Sequence, residues 1–345
     1  MGKLMNFVKS AAAIVSILVS SISLASDHVI LISVDGLRPD VINLLGKDEL
    51  PGLYRFREEG AWTDNARSDF DYTRTLPNHS SMMTGRGVMG PTGHGQESND
   101  MPPVEMTLHN NTGEQSYISS VFDVAHDHGL STALYVSKDK FILFEQTYNA
   151  ETGANDLVGE DNGRDKIDSY TFLVEDRKAE TLIARFVEDM QVNPTNFSLI
   201  HIVDTDSAGH GDNWTTPAYM EAVKRVDNYL QTVFSLIDNS NTLTGNTSII
   251  LVADHGGAGR SHSDAADPLN HTIPFYVWGA GVAQSEDIYS LNSDSRTNPQ
   301  GNNPGYAEAN QPIRNGDAAN LAMDLLGLPS IPGSTINAKY DLSVQ

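Results

Sequence analysis

Five short apolar runs are spaced along the chain. The first, His28-Val29-Ile30-Leu31-Ile32-Ser33-Val34, is nearly unbroken, as in a strand buried on both faces. Ser131 to Val136, Phe197 to Val203, Ser248 to Ala253 and Ile273 to Trp278 repeat the pattern. Between them the apolar period becomes helical. Ala179, Leu182, Ile183, Phe186, Val187 and Met190 share one face within Asp176 to Met190. Tyr219, Ala222, Val223, Val226, Tyr229, Leu230 and Val233 share another. Tyr117 to Ala125 reads as a helix stopped by Gly129, and Thr75 to Met83 as one with Pro77 in its first turn. Gly85 to Gly95 is irregular, Glu145 to Lys166 a polar surface excursion, and Ser290 to Gln311 a long loop. Strands alternating with amphipathic helices predict an α/β fold, a mostly parallel central sheet with helices on both faces. Such sheets bind ligands beyond the carboxyl ends of their strands.

Composition narrows the chemistry. The 345 residues carry a formal charge of −23 and no cysteine. Acidity of that size disfavours a nucleic-acid groove, which needs a basic stripe. It also makes attraction of an anionic substrate depend on local positive charge, such as metal ions. Without cysteine there are no disulfides, thiolate metal sites or cysteine nucleophile. Lys3 and Lys9 precede the apolar stretch Ala11 to Leu24, which ends in Ser23-Leu24-Ala25. This reads as a signal peptide over residues 1–25, cleaved before Ser26. The expectation is an exported protein, periplasmic or secreted, with no stable membrane anchor after cleavage. Residues 26–345 then form one catalytic domain.

Asp35 directly follows the first apolar run. Asp206 and His210, four apart, follow the run ending at Val203, and Asp254-His255-Gly256-Gly257 follows the run ending at Ala253. His262 comes shortly after. A lone Asp after a strand is commonly a helix cap. Three acids at three strand ends, with histidines beside two of them, instead suit a two-metal phosphoryl-transfer site. Thr75 begins its helix and could be a plain cap. Its hydroxyl becomes a useful nucleophile only when a base or metal activates it.

Val34-Asp35-Gly36, Thr75-Leu76-Pro77-Asn78-His79, Thr84-Gly85, Asp206-x-x-x-His210 and Asp254-His255-Gly256 together resemble the alkaline phosphatase superfamily. The branch they resemble is the nucleotide pyrophosphatase/phosphodiesterase-like enzymes, over roughly residues 28 to 281. The resemblance implies two divalent metal ions, most simply Zn2+. One would be held by Asp206, His210 and His262, the other by Asp35, Asp254, His255 and the Thr75 oxygen. Thr75 would be the nucleophile of a covalent phospho-enzyme. Asn99, after His94-Gly95, would donate to a phosphate oxygen, with Gln96 as a rival because an insertion falls within Arg86 to Gly93.

Other positions have competing roles. His262 is preferred to His271 as third histidine because Gly259-Arg260-Ser261-His262 resembles the family's loop, whereas His271 abuts a strand. His126-Asp127-His128 reads as a solvated helix end, and His79 as a packing or hydrogen-bonding residue. Arg74 either binds substrate or forms a salt bridge. The sequence Thr75-Leu76-Pro77-Asn78 lacks the C/S-x-P-x-R pattern of sulfatases. The expected activity is hydrolysis of phosphodiester or nucleotide pyrophosphate bonds in a small phosphate-ester or nucleotide substrate. The alternatives are a phosphomonoesterase or phosphonate hydrolase with the same site, and a non-catalytic periplasmic binding protein. A diesterase needs room for a second ester group; a monoesterase needs positive charge there.

Overall fold

Strand β1, His28–Val34, is buried along its whole length. It lies at the centre of an eight-stranded sheet in a computed structural model that describes residues 25–111 and 116–345. The signal-peptide reading, apart from Ala25, falls outside those residues. The other strands are β2 (Ala61–Arg67), β3 (Thr132–Val136), β4 (Ser169–Phe172), β5 (Phe197–Ile202), β6 (Thr247–Val252), β7 (Thr272–Gly279) and β8 (Glu286–Asp287). Their order across the sheet is β4-β3-β5-β1-β6-β7-β2-β8. The first five run parallel, and β7 is antiparallel to both β6 and β2. The expected mostly parallel α/β sheet is therefore present, with one reversed strand. Strands β1, β3, β5 and β6 have no exposed position, which matches their unbroken apolar sequences.

The long amphipathic helix is Pro217–Asp238, with Thr216 capping it and Pro217 at its start. The preceding one is Glu180–Val192, shorter at its start than expected. Asp176 and Arg177 have φ of 49° and 60°, and a bridge between Glu175 and Lys178 closes a tight turn there. The expected Tyr117–Ala125 helix is Val121–Asp127. Ser120 and Asp123 form a reciprocal capping box that fixes its first residue.

Two expectations are corrected. Glu145 to Lys166 is not all surface: it includes most of the helix Ile142–Tyr148, and Lys166 is fully buried. His126-Asp127-His128 ends a helix as expected, but His126 is buried rather than solvated. Its Nδ1 lies 2.8 Å from Asp156, and the Lys166 ammonium bridges Asp127 and Asp156. That ammonium already supplies the positive charge these acids need.

Candidate active site

The register of the central strands brings three distant acids together. Val34 of β1 is level with Ile202 of β5, and Ser33 with Val252 of β6. Asp35, Asp206 and Asp254 thus emerge along one edge of the sheet. The chain turns sharply after Asp35 at Gly36, whose φ is +70°. A Cβ there would also sit 3.2 Å from the Asp206 Cα, so glycine permits both the turn and the close approach. The Gly36 N–H donates to Asp254 Oδ1 at 3.0 Å.

Two groups of donors result. Asp206, His210 and His262 form one; Asp35, Asp254 and His255 form the other. Within each, the ligand atoms lie within 4.8 Å of one another. All three histidines are oriented alike. Nδ1 of His210 lies 2.9 Å from the Arg260 carbonyl, that of His255 2.8 Å from Gly256, and that of His262 2.5 Å from Thr73. A carbonyl only accepts, so each Nδ1 carries a proton, and in the neutral ring each Nε2 presents a lone pair. The rings of His255 and His262 stack at 3.6 Å, joining the two groups.

The electrostatics call for added positive charge. Asp35, Asp206 and Asp254 are all buried, and the Lys138 ammonium meets two of them, 2.6 Å from Asp35 and 2.7 Å from Asp206. Burial opposes ionisation of Asp35, but Lys138 and His201 more than offset it and keep its pKa low. Burial and the neighbouring Asp35 push the Asp254 carboxyl well above the usual range. Burial, with His262 alongside, lowers His255 to about 3, leaving the neutral imidazole that binds metals.

Four of the buried atoms without partners are ones a cation would use. Asp35 Oδ1, Asp206 Oδ1, Asp254 Oδ2 and His255 Nε2 are buried and make no hydrogen bond. Orphaned buried acceptors are costly. Four at one place, all carboxylate or imidazole, fit nitrogen- and oxygen-bound divalent ions such as zinc.

Thr75 is the first residue of the helix Thr75–Thr84 and is buried. Its Oγ1 accepts from Lys138 at 3.2 Å, so one ammonium touches Thr75 and a ligand from each group. Asn99 also reaches this point: its Oδ1 accepts the Leu76 N–H at 2.9 Å. Gln96 is buried and occupied elsewhere, its amide bonded to the Ser98 carbonyl and to Asn111. His271 lies apart from both donor groups, with Nδ1 on the Ala265 carbonyl. His79 is a buried residue of the same helix, bonded to the Thr75 carbonyl and the Ser33 hydroxyl. Arg74 makes no side-chain hydrogen bond or ion pair among the described residues.

Lys138 and His201 were not singled out from the sequence. His201, inside β5, lies 2.8 Å from Asp35 Oδ2 through Nε2, while its Nδ1 faces the Ser137 hydroxyl at 3.1 Å. With Lys138 on the same Oδ2, Asp35 keeps Oδ1 for a ligand. Lys138 stands just beyond β3, the placement that marked the three acids, and that rule applied to β3 would have found it.

The chain is 23% identical to mouse (Mus musculus) GPI ethanolamine phosphate transferase 1 over 196 residues, 54% of this chain and 20% of that protein. It is 32% identical to the Aspergillus oryzae protein of the same name over 108 residues, 31% of this chain and 10% of that one. The chain therefore spans a fifth or less of the length of these relatives. Among solved structures, an inactive form of murine ectonucleotide pyrophosphatase/phosphodiesterase 5 in complex with AMP matches with a TM-score of 0.59. Its identity is 14%, over 87% of this chain and 95% of that one. A variant of alkaline phosphatase PafA matches with a TM-score of 0.60 at 14% identity, over 90% and 98%. At that identity the likeness is one of fold. The family described as type I phosphodiesterase / nucleotide pyrophosphatase matches residues 29–312, the stretch that holds every residue of the two donor groups and Thr75. The chain belongs to the type I phosphodiesterase / nucleotide pyrophosphatase family.

Proposed function

We propose that the protein is a metal-dependent hydrolase of phosphoric esters with Thr75 as nucleophile. The observation that carries this reading is a pair of carboxylate and imidazole clusters, four of whose atoms are buried without partners, tied to a buried threonine by one lysine. Asp206, His210 and His262 would hold one divalent ion; Asp35, Asp254, His255 and the Thr75 oxygen would hold the other. Bound there, zinc would supply charge to stabilise the Thr75 alkoxide and the phosphoryl oxygens. Thr75 Oγ then forms a bond to phosphorus as the bond to the leaving alcohol oxygen breaks, and that oxygen takes up a proton. Water next attacks the phosphorylated threonine, restoring the hydroxyl and freeing a phosphomonoester from a diester substrate, or phosphate from a monoester. Asn99 Nδ2 and Lys138 Nζ would hold the phosphoryl oxygens through both steps.

Family membership, and AMP in the murine relative's structure, support a diester or nucleotide pyrophosphate bond as substrate. A second reading, phosphomonoester hydrolysis, is favoured by the ammonium groups. Lys138 touches Thr75, and Lys140 donates to the Asn99 carbonyl at 3.0 Å. A terminal phosphate carries an extra negative charge that such groups would match.

The test is a rate comparison on zinc-loaded protein between bis-p-nitrophenyl phosphate and p-nitrophenyl phosphate, with EDTA controls. A chelator-sensitive preference for the diester supports the first reading, and for the monoester the second. Turnover of neither overturns the assignment as a hydrolase of these esters.

We also propose that the protein is exported, on the basic, apolar and small-residue order of residues 1–25. A mature N-terminus at Ser26 would support this; an intact leader on cytosolic protein would overturn it.

A further inference from the structure

We propose that Trp214 is the positioning residue that sets the spacing of the metal-ligand segments, and with it the affinity of the site for its ions. The proposal rests on the metal-dependent reading above. Trp214 is fully buried. Its indole is wedged between two glycines that belong to different ligand segments. Gly209 lies within the helix Asp204–Asp212, between Asp206 and His210; Gly257 lies just after Asp254-His255. A methyl group on Gly209 would stand 2.4 Å from the ring carbons, and one on Gly257 2.1 Å. Both backbones therefore rest directly on the ring.

The same side chain reaches the third segment. Its Nε1–H donates to the Gly36 carbonyl at 2.9 Å, next to Asp35. The Tyr219 hydroxyl donates to that carbonyl too, at 2.8 Å. The Trp214 backbone N–H donates to Gly259 at 3.3 Å, in the loop leading to His262. The ring lies edge-on to His210 at 5.3 Å and to His262 at 6.1 Å between centroids. One rigid plate thus touches the turn after Asp35, the helix bearing Asp206 and His210, and the loop from Asp254 to His262. A ring that only filled space would need neither the paired glycines nor the bond to Gly36. Metal affinity is sensitive to such supports because ligand atoms must be held within a few tenths of an ångström.

The test compares zinc binding by wild type and Trp214→Phe, using competition with a chromophoric chelator, alongside melting of the metal-free proteins. Phenylalanine leaves a gap between the two glycines and no donor for Gly36. The expected result is zinc affinity about 10–100-fold weaker in Trp214→Phe. Trp278→Phe, whose indole donates to Glu59 away from the site, should bind zinc as wild type does. A second measurement needs no substitution at Trp214. In the double variant Trp62→Phe, Trp278→Phe it is the sole tryptophan, and zinc titration should change its emission with the stoichiometry of binding. Unchanged zinc affinity in folded Trp214→Phe, or emission indifferent to bound zinc, overturns the role of Trp214 alone. Absence of zinc binding by the wild type overturns the metal reading itself, and this proposal with it.

Discussion

The Nε2 atoms of His210 and His262 face one another at 3.2 Å, and neither nitrogen carries a proton when the ring is neutral. Two nitrogens bound at ~2.0–2.1 Å to one tetrahedral zinc stand about 3.3 Å apart. His210 Nε2 lies 3.3 Å from Asp206 Oδ1, and His255 Nε2 lies 3.3 Å from Asp254 and 3.4 Å from Asp35. Four contacts thus have the length of a coordination edge, where a direct hydrogen bond would be shorter. His262→Ala should lose one of two zinc ions per chain, with turnover falling to the chelator-treated level. Elemental analysis of the purified variant, alongside the rate, checks both.

Thr75→Ala removes the proposed nucleophile from a helix whose first turn Asn99 still caps. Turnover should fall at least about 10³-fold. Melting temperature should change little, and zinc content should stay within one ion of wild type. Thr75→Ser should retain a phospho-enzyme detectable by mass spectrometry after acid quench. Full activity in the alanine variant sinks the mechanism.

In the proposed reaction Lys138 would have two tasks that one substitution separates. As a donor to a phosphoryl oxygen it contributes more to a dianionic monoester than to a monoanionic diester. Lys138→Ala should therefore cost about 10²–10³-fold on p-nitrophenyl phosphate. The loss on bis-p-nitrophenyl phosphate should be markedly smaller. Equal losses on both would confine Lys138 to balancing Asp35 and Asp206.

Two histidines away from the donor groups, His94 buried and His109 half-buried, make the fold acid-sensitive. Burial lowers His94 to about 3 and His109 to about 4. In each, Nδ1 accepts a backbone N–H, from Gln96 and Ile118, so the neutral ring is the bonded form. A base whose pKa is depressed by folding contributes fully above its unfolded value, about 6.5, and progressively less as pH falls toward the folded value. Below pH 6.5 each should cost about 1.4 kcal/mol per pH unit until its folded value is reached. Denaturation between pH 7 and 5 should show this slope. His109→Asn, whose Oδ1 can replace the acceptor, should reduce it by one proton.

The sequence made the strand-end acids legible because an unbroken apolar run announces both the strand and where it stops. Asp35 and Asp254 directly follow such runs, whereas Asp206, two residues beyond Asp204, was marked by His210 four residues on. Lys138 follows such a run as well, but a lysine in a polar stretch ordinarily reads as solvated. His201 was hidden inside an apolar strand. Strand β2 was missed because Asp64, Asn65 and Arg67 break its apolar alternation, and its pairing with β7 is bulged between Thr63 and Ala66. Arg67 can be buried there because carbonyls of residues 300 and 302, in the long loop, close over its guanidinium. The direction of β7 had no signal either, since the connection from β6 has no long crossover helix to dictate it.

The alignment of β1 with β5 and β6 has a consequence for quality control. Each acid hangs from the end of a different strand, and a slip of one residue would carry it about 3.3 Å along the sheet and turn it to the other face. No slipped arrangement keeps both donor groups closed. On the proposed metal-dependent reading, ion capture would proofread the assembly of the sheet, distinguishing chains with correctly paired strands from compact but misregistered ones.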